Sequence, residues 1–246
     1  QELIGTLDQT IVLLQQHRED ELAALLAQLH PADLAEILKE LDEEQRSTVL
    51  HLLSEETAAE AIVELEPEEQ AAILTTISEE RAEAILDEMA ADDVADLVGE
   101  LPPHQAGAIL KLMDLQDASG VRELLEFRPD TAGGIMTTEY VSVHATLSAA
   151  EAIDALRAVA PSAETAYYVY VVDEAERLVG VLSLRELIIA PPDAKVADIM
   201  RTSVVSVRLQ DDQEEVARVV QKYDLLAVPV VDEQNVLKGI VTVDDI

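Results

Sequence analysis

The stretch Arg128-Pro-Asp-Thr-Ala-Gly-Gly-Ile-Met-Thr-Thr-Glu-Tyr-Val-Ser-Val143 divides a chain of 246 residues into two parts with different periodicities. Ahead of it every apolar pattern is helical. After it, apolar runs of strand length appear. Pro129 ends the preceding helix, because a residue before proline is pushed out of the α region. Gly133 and Gly134 permit backbone angles that other residues avoid. The stretch reads as a joint. Residues 1–127 are expected to form a helical domain, 128–134 the joint, and 135–193 and 194–246 two further modules.

Upstream of the joint a twelve-residue repeat runs through eight copies, beginning at Glu21, Asp33, Gln45, Thr57, Glu69, Arg81, Asp93 and Gln105. The fifth and sixth positions are apolar in every copy, from Leu25-Leu26 to Ile109-Leu110. The ninth is Leu, Ile or Met, from Leu29 to Met113. Spacing i, i+1, i+4 predicts one face of a short helix. Turn and cap residues separate the copies, as in His30-Pro-Ala-Asp33, Leu53-Ser-Glu-Glu56 and Glu66-Pro-Glu-Glu69. Proline in the first turn with acids beside it is a helix-start signal. Helices this short are marginal alone, because nucleation is costly. Stacked on their neighbours they form a solenoid. No aromatic residue precedes Phe127, so Ala, Leu and Ile make the core and the helices can approach closely.

The formal charge is −35. Residues 1–127 hold 31 acids and 6 bases, a net −25; the remainder hold 20 and 10, a net −10. Such a surface disfavours nucleic acid and anionic lipid and attracts cations. Asp92 and Asp96 stand at i, i+4 on one helix face, where like charges repel and a divalent cation would relieve them. The chain has no cysteine, which fits a reducing compartment, and its five histidines are scattered, which argues against zinc. No P-loop, nucleophile elbow or Ser/His/Asp set occurs, so the reading is a non-enzyme. The start Gln1-Glu-Leu-Ile lacks the basic region of a secretory signal, and no run of about 18 apolar residues is present.

Downstream, a module is duplicated. Ile135-Met-Thr-Thr-Glu-Tyr-Val-Ser-Val143 matches Ile199-Met-Arg-Thr-Ser-Val-Val-Ser-Val207, and Tyr168-Val-Tyr-Val-Val-Asp-Glu174 matches Ala227-Val-Pro-Val-Val-Asp-Glu233. Gly180-Val-Leu-Ser-Leu-Arg-Glu186 matches Gly239-Ile-Val-Thr-Val-Asp-Asp245. The first copy carries five extra residues around Ala160-Pro-Ser-Ala-Glu164. Each copy predicts strand, amphipathic helix (147–158 and 214–223), strand, turn, strand, helix. The pattern resembles a tandem pair of CBS domains, the cystathionine-β-synthase-type modules. The resemblance implies an α/β pair that dimerises and a cleft between copies that takes adenine nucleotides. Tyr168, Arg185 and Glu186 fall on its nucleotide positions, with Glu in place of the usual Asp. Leu225 stands where an aromatic contact would help.

An acidic short-helix superhelix, the Ala132-Gly-Gly-Ile-Met136 joint and a CBS pair, in that order, resemble the cytosolic region of the MgtE family of magnesium channels and transporters. Pro67-Glu-Glu-Gln-Ala71, Ala163-Glu-Thr-Ala-Tyr-Tyr168 and Asp212-Gln-Glu-Glu-Val-Ala-Arg218 carry the resemblance further. It implies a fragment cut at Ile246 ahead of a membrane pore, on the cytoplasmic face of the cell membrane, working as a homodimer. It also implies Mg2+ as the regulating ion, with ATP as a second ligand. Magnesium takes one or two carboxylates and keeps several waters. By the resemblance, Asp92 shares an ion with Asp245, Asp96 one with the Gly134 carbonyl, and Glu60 faces the membrane part. Asp212, Glu214, Asp224 and the Gln221 carbonyl meet a connecting helix. The rival readings are a nucleotide-sensing CBS regulator with the helical domain as scaffold, and a scaffold like the middle part of a flagellar motor switch protein, against which the CBS modules argue.

Overall fold

The computed structural model describes residues 2–159 and 168–246. The extra residues expected around 160–164, and most of the 163–168 motif, lie outside the described residues. The main parts of two compact units meet in sequence at Val121 and Arg122.

The first unit holds α1 (Glu2–Gln15), α2 (Glu19–Leu26), α3 (Pro31–Glu40), α4 (Glu43–Leu52) and α5 (Glu55–Val63). It continues with α6 (Pro67–Thr76), α7 (Glu79–Glu88), α8 (Ala91–Glu100) and α9 (Pro103–Leu112), and α10 (Leu115–Leu124) follows. Caps recur every twelve residues. His30, Asp42, Ser54, Glu66, Ser78 and Pro102 precede α3, α4, α5, α6, α7 and α9. Asp42 Oδ1 accepts from the Gln45 amide at 2.9 Å, and Gln45 Oε1 accepts from the Asp42 amide at 3.1 Å. Ser54 and Ser78 hydroxyls accept from the amides of Thr57 and Arg81. The side chains of Asp42, Ser54 and Ser78 each satisfy an amide that the helix leaves without a partner.

Fifth and sixth positions are buried in every copy from Ile37-Leu38 to Leu97-Val98. The ninth position departs from expectation. Leu41, Leu53, Ile77, Met89 and Met113 are not on a helix face; they are C-caps with extended backbone. A ten-residue helix ends before the ninth position is reached, and the apolar side chain there fills the gap to the next helix. The third buried column is the second position, with Leu22, Leu34, Ala58, Ala82 and Val94. With the fifth and sixth it makes the i, i+3, i+4 stripe of an amphipathic helix. Alternate helices stack: α3 on α5, α5 on α7, α7 on α9, and α2 on α4, α4 on α6. Arg81 of α7 ties these layers together. Its Nη2 donates to the carbonyls of Leu50 and Leu53 at 2.6 Å each, at the end of α4, and its Nη1 lies 3.1 Å from Glu55.

The second unit contains two copies of one motif. The first is β1 (Ser142–His144), α11 (Ala149–Val159), β2 (Tyr168–Val172), β3 (Leu178–Ser183) and α12 (Leu184–Ile189). After α13 (Val196–Ile199) comes the second: β4 (Val207–Arg208), α14 (Gln213–Tyr223), β5 (Ala227–Val231), β6 (Leu237–Thr242) and a 3-10 turn, Val243–Asp245. Each sheet has one parallel and one antiparallel pairing, in order β1-β2-β3 and β4-β5-β6. Val171 pairs with Gly180, as Val230 pairs with Gly239. Residues of β2 alternate, as strand geometry requires. Val169 and Val171 face the core of their own copy, with Leu156, Leu182 and Leu187. Tyr170 and Val172 face the other copy, with Ala227, Val231 and Ile240.

Each copy begins by clasping the other. Thr137 and Ile240 exchange two main-chain hydrogen bonds, at 2.8 and 3.0 Å; Val181 and Arg201 exchange two at 3.0 Å. Beside these bridges Met136 lies on Gly239 and Met200 on Gly180. The residues before the clasp are also held to the second copy. The Ala132 amide donates to the Asp211 carbonyl at 2.8 Å, and the Gly133 amide to the Leu209 carbonyl at 2.9 Å. A Cβ on Gly134 would fall 2.1 Å from the Arg128 carbonyl oxygen, so no side chain fits there.

The two clasp glycines differ in what a methyl group would meet. At Gly239 a Cβ would lie 2.6 Å from the Thr137 carbonyl oxygen, which is fixed by the bridge. At Gly180 the nearest atoms all belong to the flexible Met200 side chain. Gly239→Ala is therefore expected to destabilise the protein by about 2–3 kcal/mol and Gly180→Ala by about 1 kcal/mol or less. Urea denaturation of the two variants measures the difference.

Candidate functional site

The carboxylates singled out in the helical unit occupy different settings. Glu60 is exposed on α5. Asp92 is half-buried and Asp96 exposed, one turn apart on α8, as their spacing predicts. A further acidic patch joins Glu83 and Asp87 of α7 to Asp114 and Asp117 at the start of α10. Burial first, then Glu83 and Asp114, hold the Asp87 carboxyl above its ordinary range. Burial first, then Asp114 and Asp87, do the same to Asp117. The sequence did not reveal this patch, because its halves are about thirty residues apart and meet only when the repeat is stacked.

In the second unit, α14 separates the acids assigned to it. Asp212 is its N-cap and accepts from the Glu214 amide at 2.8 Å; Glu214 lies 3.5 Å from Arg218. Gln221 is in the last turn. Asp224 caps the other end with left-handed backbone, φ 51° and ψ 52°. Eleven helical residues span about 16 Å, so Asp212 and Asp224 are not brought to one point. Asp245 accepts from the Thr242 hydroxyl at the 3-10 turn. The corresponding pair in the first copy is Ser183 and Glu186, where Glu186 accepts from the Ser183 amide at 2.7 Å and hydroxyl at 3.0 Å. Those bonds, the amide first, hold the Glu186 carboxyl below its ordinary range, and Arg201 adds to them. Among the described residues no three His, Asp or Glu side chains are grouped so as to hold a metal ion.

A cavity of about 400 Å³ opens between the two copies. Tyr168, Tyr170 and Val181 come from the first copy, the segment Arg201–Val205 crosses one side, and Tyr223–Leu225, Ala227 and Pro229 close the other. Among the described residues the wall is apolar and aromatic apart from Arg201, Ser203 and Asp224. The Tyr170 hydroxyl is buried and, among the described residues, has no hydrogen-bond partner; burial pushes its pKa up. Of the nucleotide positions expected from sequence, Tyr168 lines this space. Arg185 and Glu186 stand at the start of α12 and do not line it. Arg201, Ser203 and Tyr223 were not foreseen; the duplicated Ile-Met segment was legible, but not its crossing of the cavity.

A model of the MgtE intracellular N domain matches residues 29–130, and a CBS-domain model matches residues 132–193 and 196–246. The magnesium transporter MgtE of Thermus thermophilus is 46% identical over 236 residues, which cover 95% of this chain and 52% of that protein. The chain thus spans about half the length of that relative. Among solved structures, the cytosolic domain of the Mg2+ channel MgtE in complex with ATP superposes with a TM-score of 0.88 at 46% identity, covering 94% of this chain and 95% of that one. The soluble part of a magnesium transporter superposes with a TM-score of 0.90 at 38% identity, covering 99% and 96%. No described helix is long and apolar enough to cross a membrane.

The raised carboxyls on α7 and α10 give a pH test. A group whose folded pKa is raised adds stability below its unfolded value, here 3.8, and loses it as pH rises through the folded value. Asp117→Asn is expected to raise the thermal midpoint at pH 7, by the equivalent of less than ~1 kcal/mol for so exposed a group. The gain should vanish below pH 3.8. Melting curves at the two pH values measure it.

Proposed function

The chain belongs to the MgtE family and corresponds to its cytosolic region, and on that premise we propose that it is the Mg2+-sensing regulatory part of a magnesium transporter. The observation that carries the proposal is the charge: −35 overall, on a chain with carboxylates on both units. With magnesium scarce, like-charged surfaces repel. With magnesium plentiful, hydrated ions bridge them and favour a compact state that closes the pore. The donors suit the ion, since carboxylate and carbonyl oxygens are hard ligands and magnesium needs only one or two from the protein.

In this reading Asp92 and Asp245 share one ion, and Asp96 and the Gly134 carbonyl another. Glu60 faces the membrane part. Asp212 with Glu214, and Asp224 with the Gln221 carbonyl, serve as two separate contacts to the segment that follows. The CBS pair forms a homodimer on the cytoplasmic face of the cell membrane, and the chain catalyses no reaction. A second reading concerns the cavity between the copies: an adenine nucleotide binds there, with Tyr168 against the base and Arg185 and Glu186 near the phosphates and ribose. It is supported by the size and aromatic wall of the cavity and by the relative crystallised with ATP.

Magnesium should reduce the hydrodynamic radius and slow proteolysis of the wild-type chain, and chelator should reverse both. Asp92→Ala or Asp245→Ala is expected to raise the magnesium concentration at half-protection about tenfold, equivalent to ~1.4 kcal/mol. The double variant should add little to either, because the two carboxylates hold one ion. An unchanged radius between chelator and excess magnesium would refute the switch.

A further inference from the structure

We propose that Thr242 is the positioning residue of the Asp245 ion contact: its hydroxyl holds one carboxylate oxygen and leaves the other for a hydrated divalent cation. The inference rests on the ion-bridging reading above and names the residue that prepares one of its carboxylates.

The two copies close on the same pattern, a hydroxyl residue followed three positions later by an acid, and use it differently. In the first copy the acid is engaged. Glu186 Oε2 accepts from the Ser183 amide at 2.7 Å and from the Ser183 hydroxyl at 3.0 Å, while the Ser183 oxygen accepts from the Glu186 amide at 3.1 Å. This closed capping box starts α12. Arg201 Nη2 stands 3.8 Å from the same carboxylate oxygen and offsets part of its charge. In the second copy the box stays open. The Thr242 side chain accepts no amide, and its hydroxyl donates to Asp245 Oδ2. Among the described residues that hydroxyl is the one hydrogen-bond donor to the Asp245 carboxylate, and no Lys or Arg pairs with it. Oδ1 is left for another partner.

Burial divides the pair in the way a held ligand requires. Thr242 is 5% exposed at the end of β6, where its backbone pairs with Ala227. The next amide, of Val243, donates to the Leu226 carbonyl at 2.9 Å. The hydroxyl therefore sits on a fixed strand end. Asp245 is exposed, on the 3-10 turn that follows. An exposed aspartate that turns freely loses rotamer freedom when it takes an ion. One already held by a buried hydroxyl loses less. A neutral donor also suits the task, because it orients the carboxylate without cancelling its charge as an arginine would. Magnesium keeps most of its waters and needs no more from this residue than Oδ1.

Limited proteolysis of the full chain across a magnesium series tests the proposal, for wild type, Thr242→Val, Thr242→Ser and Ser183→Ala. Thr242→Val keeps the shape and removes the hydroxyl. It should raise the magnesium concentration at half-protection about threefold or more. Thr242→Ser keeps the hydroxyl and should stay within about twofold of wild type. Ser183→Ala should do the same, because Glu186 is not an ion contact in this reading. On an Asp245→Ala background, Thr242→Val should add nothing, since no carboxylate is left to orient. Melting midpoints in chelator verify folding, and Thr242→Ala carries the same expectation if valine disturbs β6. A shift that persists without Asp245, that serine does not reverse, or that Ser183→Ala reproduces would make Thr242 a structural residue and overturn the assignment. Protection that depends on Asp245 but not on the Thr242 hydroxyl overturns this inference alone. If wild type gains no protection from magnesium, the ion-bridging reading itself fails, and the role of Thr242 with it.

Discussion

The second unit depends on a reciprocal main-chain exchange: Thr137 with Ile240, and Val181 with Arg201. Each copy lends its opening residues to the far strand of the other. Neither copy can then separate without breaking two hydrogen bonds on each side and exposing Met136 or Met200. The exchange demands glycine at Gly239, where a Cβ would meet the bridged Thr137 carbonyl, and leaves Met200 to give way at Gly180. It also has a geometric consequence. The chain that leaves the Val181 bridge must cross the gap between the sheets to reach β4, and Arg201–Val205 become a wall of the cavity. The same contact that joins the copies therefore builds the pocket and places Arg201 in its wall.

In the helical unit the constraint is length. Ten-residue helices gain little from propensity and must be fixed by caps and stacking. Much of the acid content has a structural use. Glu43, Glu44, Glu55, Glu56, Glu79 and Glu80 all lie in first turns, where the helix dipole favours them. Glu60, Asp87 and Asp96 lie further along their helices and gain nothing from it. Asp87 is even disfavoured, by burial and by its acidic neighbours. Acids in these later positions are the ones whose presence the helix dipole does not explain.

The repeat was legible because a twelve-residue period leaves one cap and one apolar pair per copy. Its third column was misassigned to a helix face because position nine is apolar for a different reason: it closes the helix end as an extended C-cap. The duplication was likewise legible, since Ser183 with Glu186 and Thr242 with Asp245 keep the same spacing, and in each pair the hydroxyl donates to the acid. Tyr168 was expected at the nucleotide cleft from the resemblance alone, and alternation along β2 puts it on the face toward the other copy. Arg185 and Glu186 could not be placed so simply, because a short helix start turns its side chains according to how it packs.

What the sequence by itself determined is therefore local and periodic: helix starts, strand order, the joint, the duplicated copies and the sign of the surface charge. These follow from spacing within a dozen residues and from composition. Only the tertiary structure decided that residues 201–205 cross the cavity, that Glu83 and Asp87 meet Asp114 and Asp117, and that Asp212 and Asp224 stand apart. The physical reason is that such neighbours arise from stacking and strand exchange between segments far apart in the chain, and no local pattern encodes a distance across a packed interface.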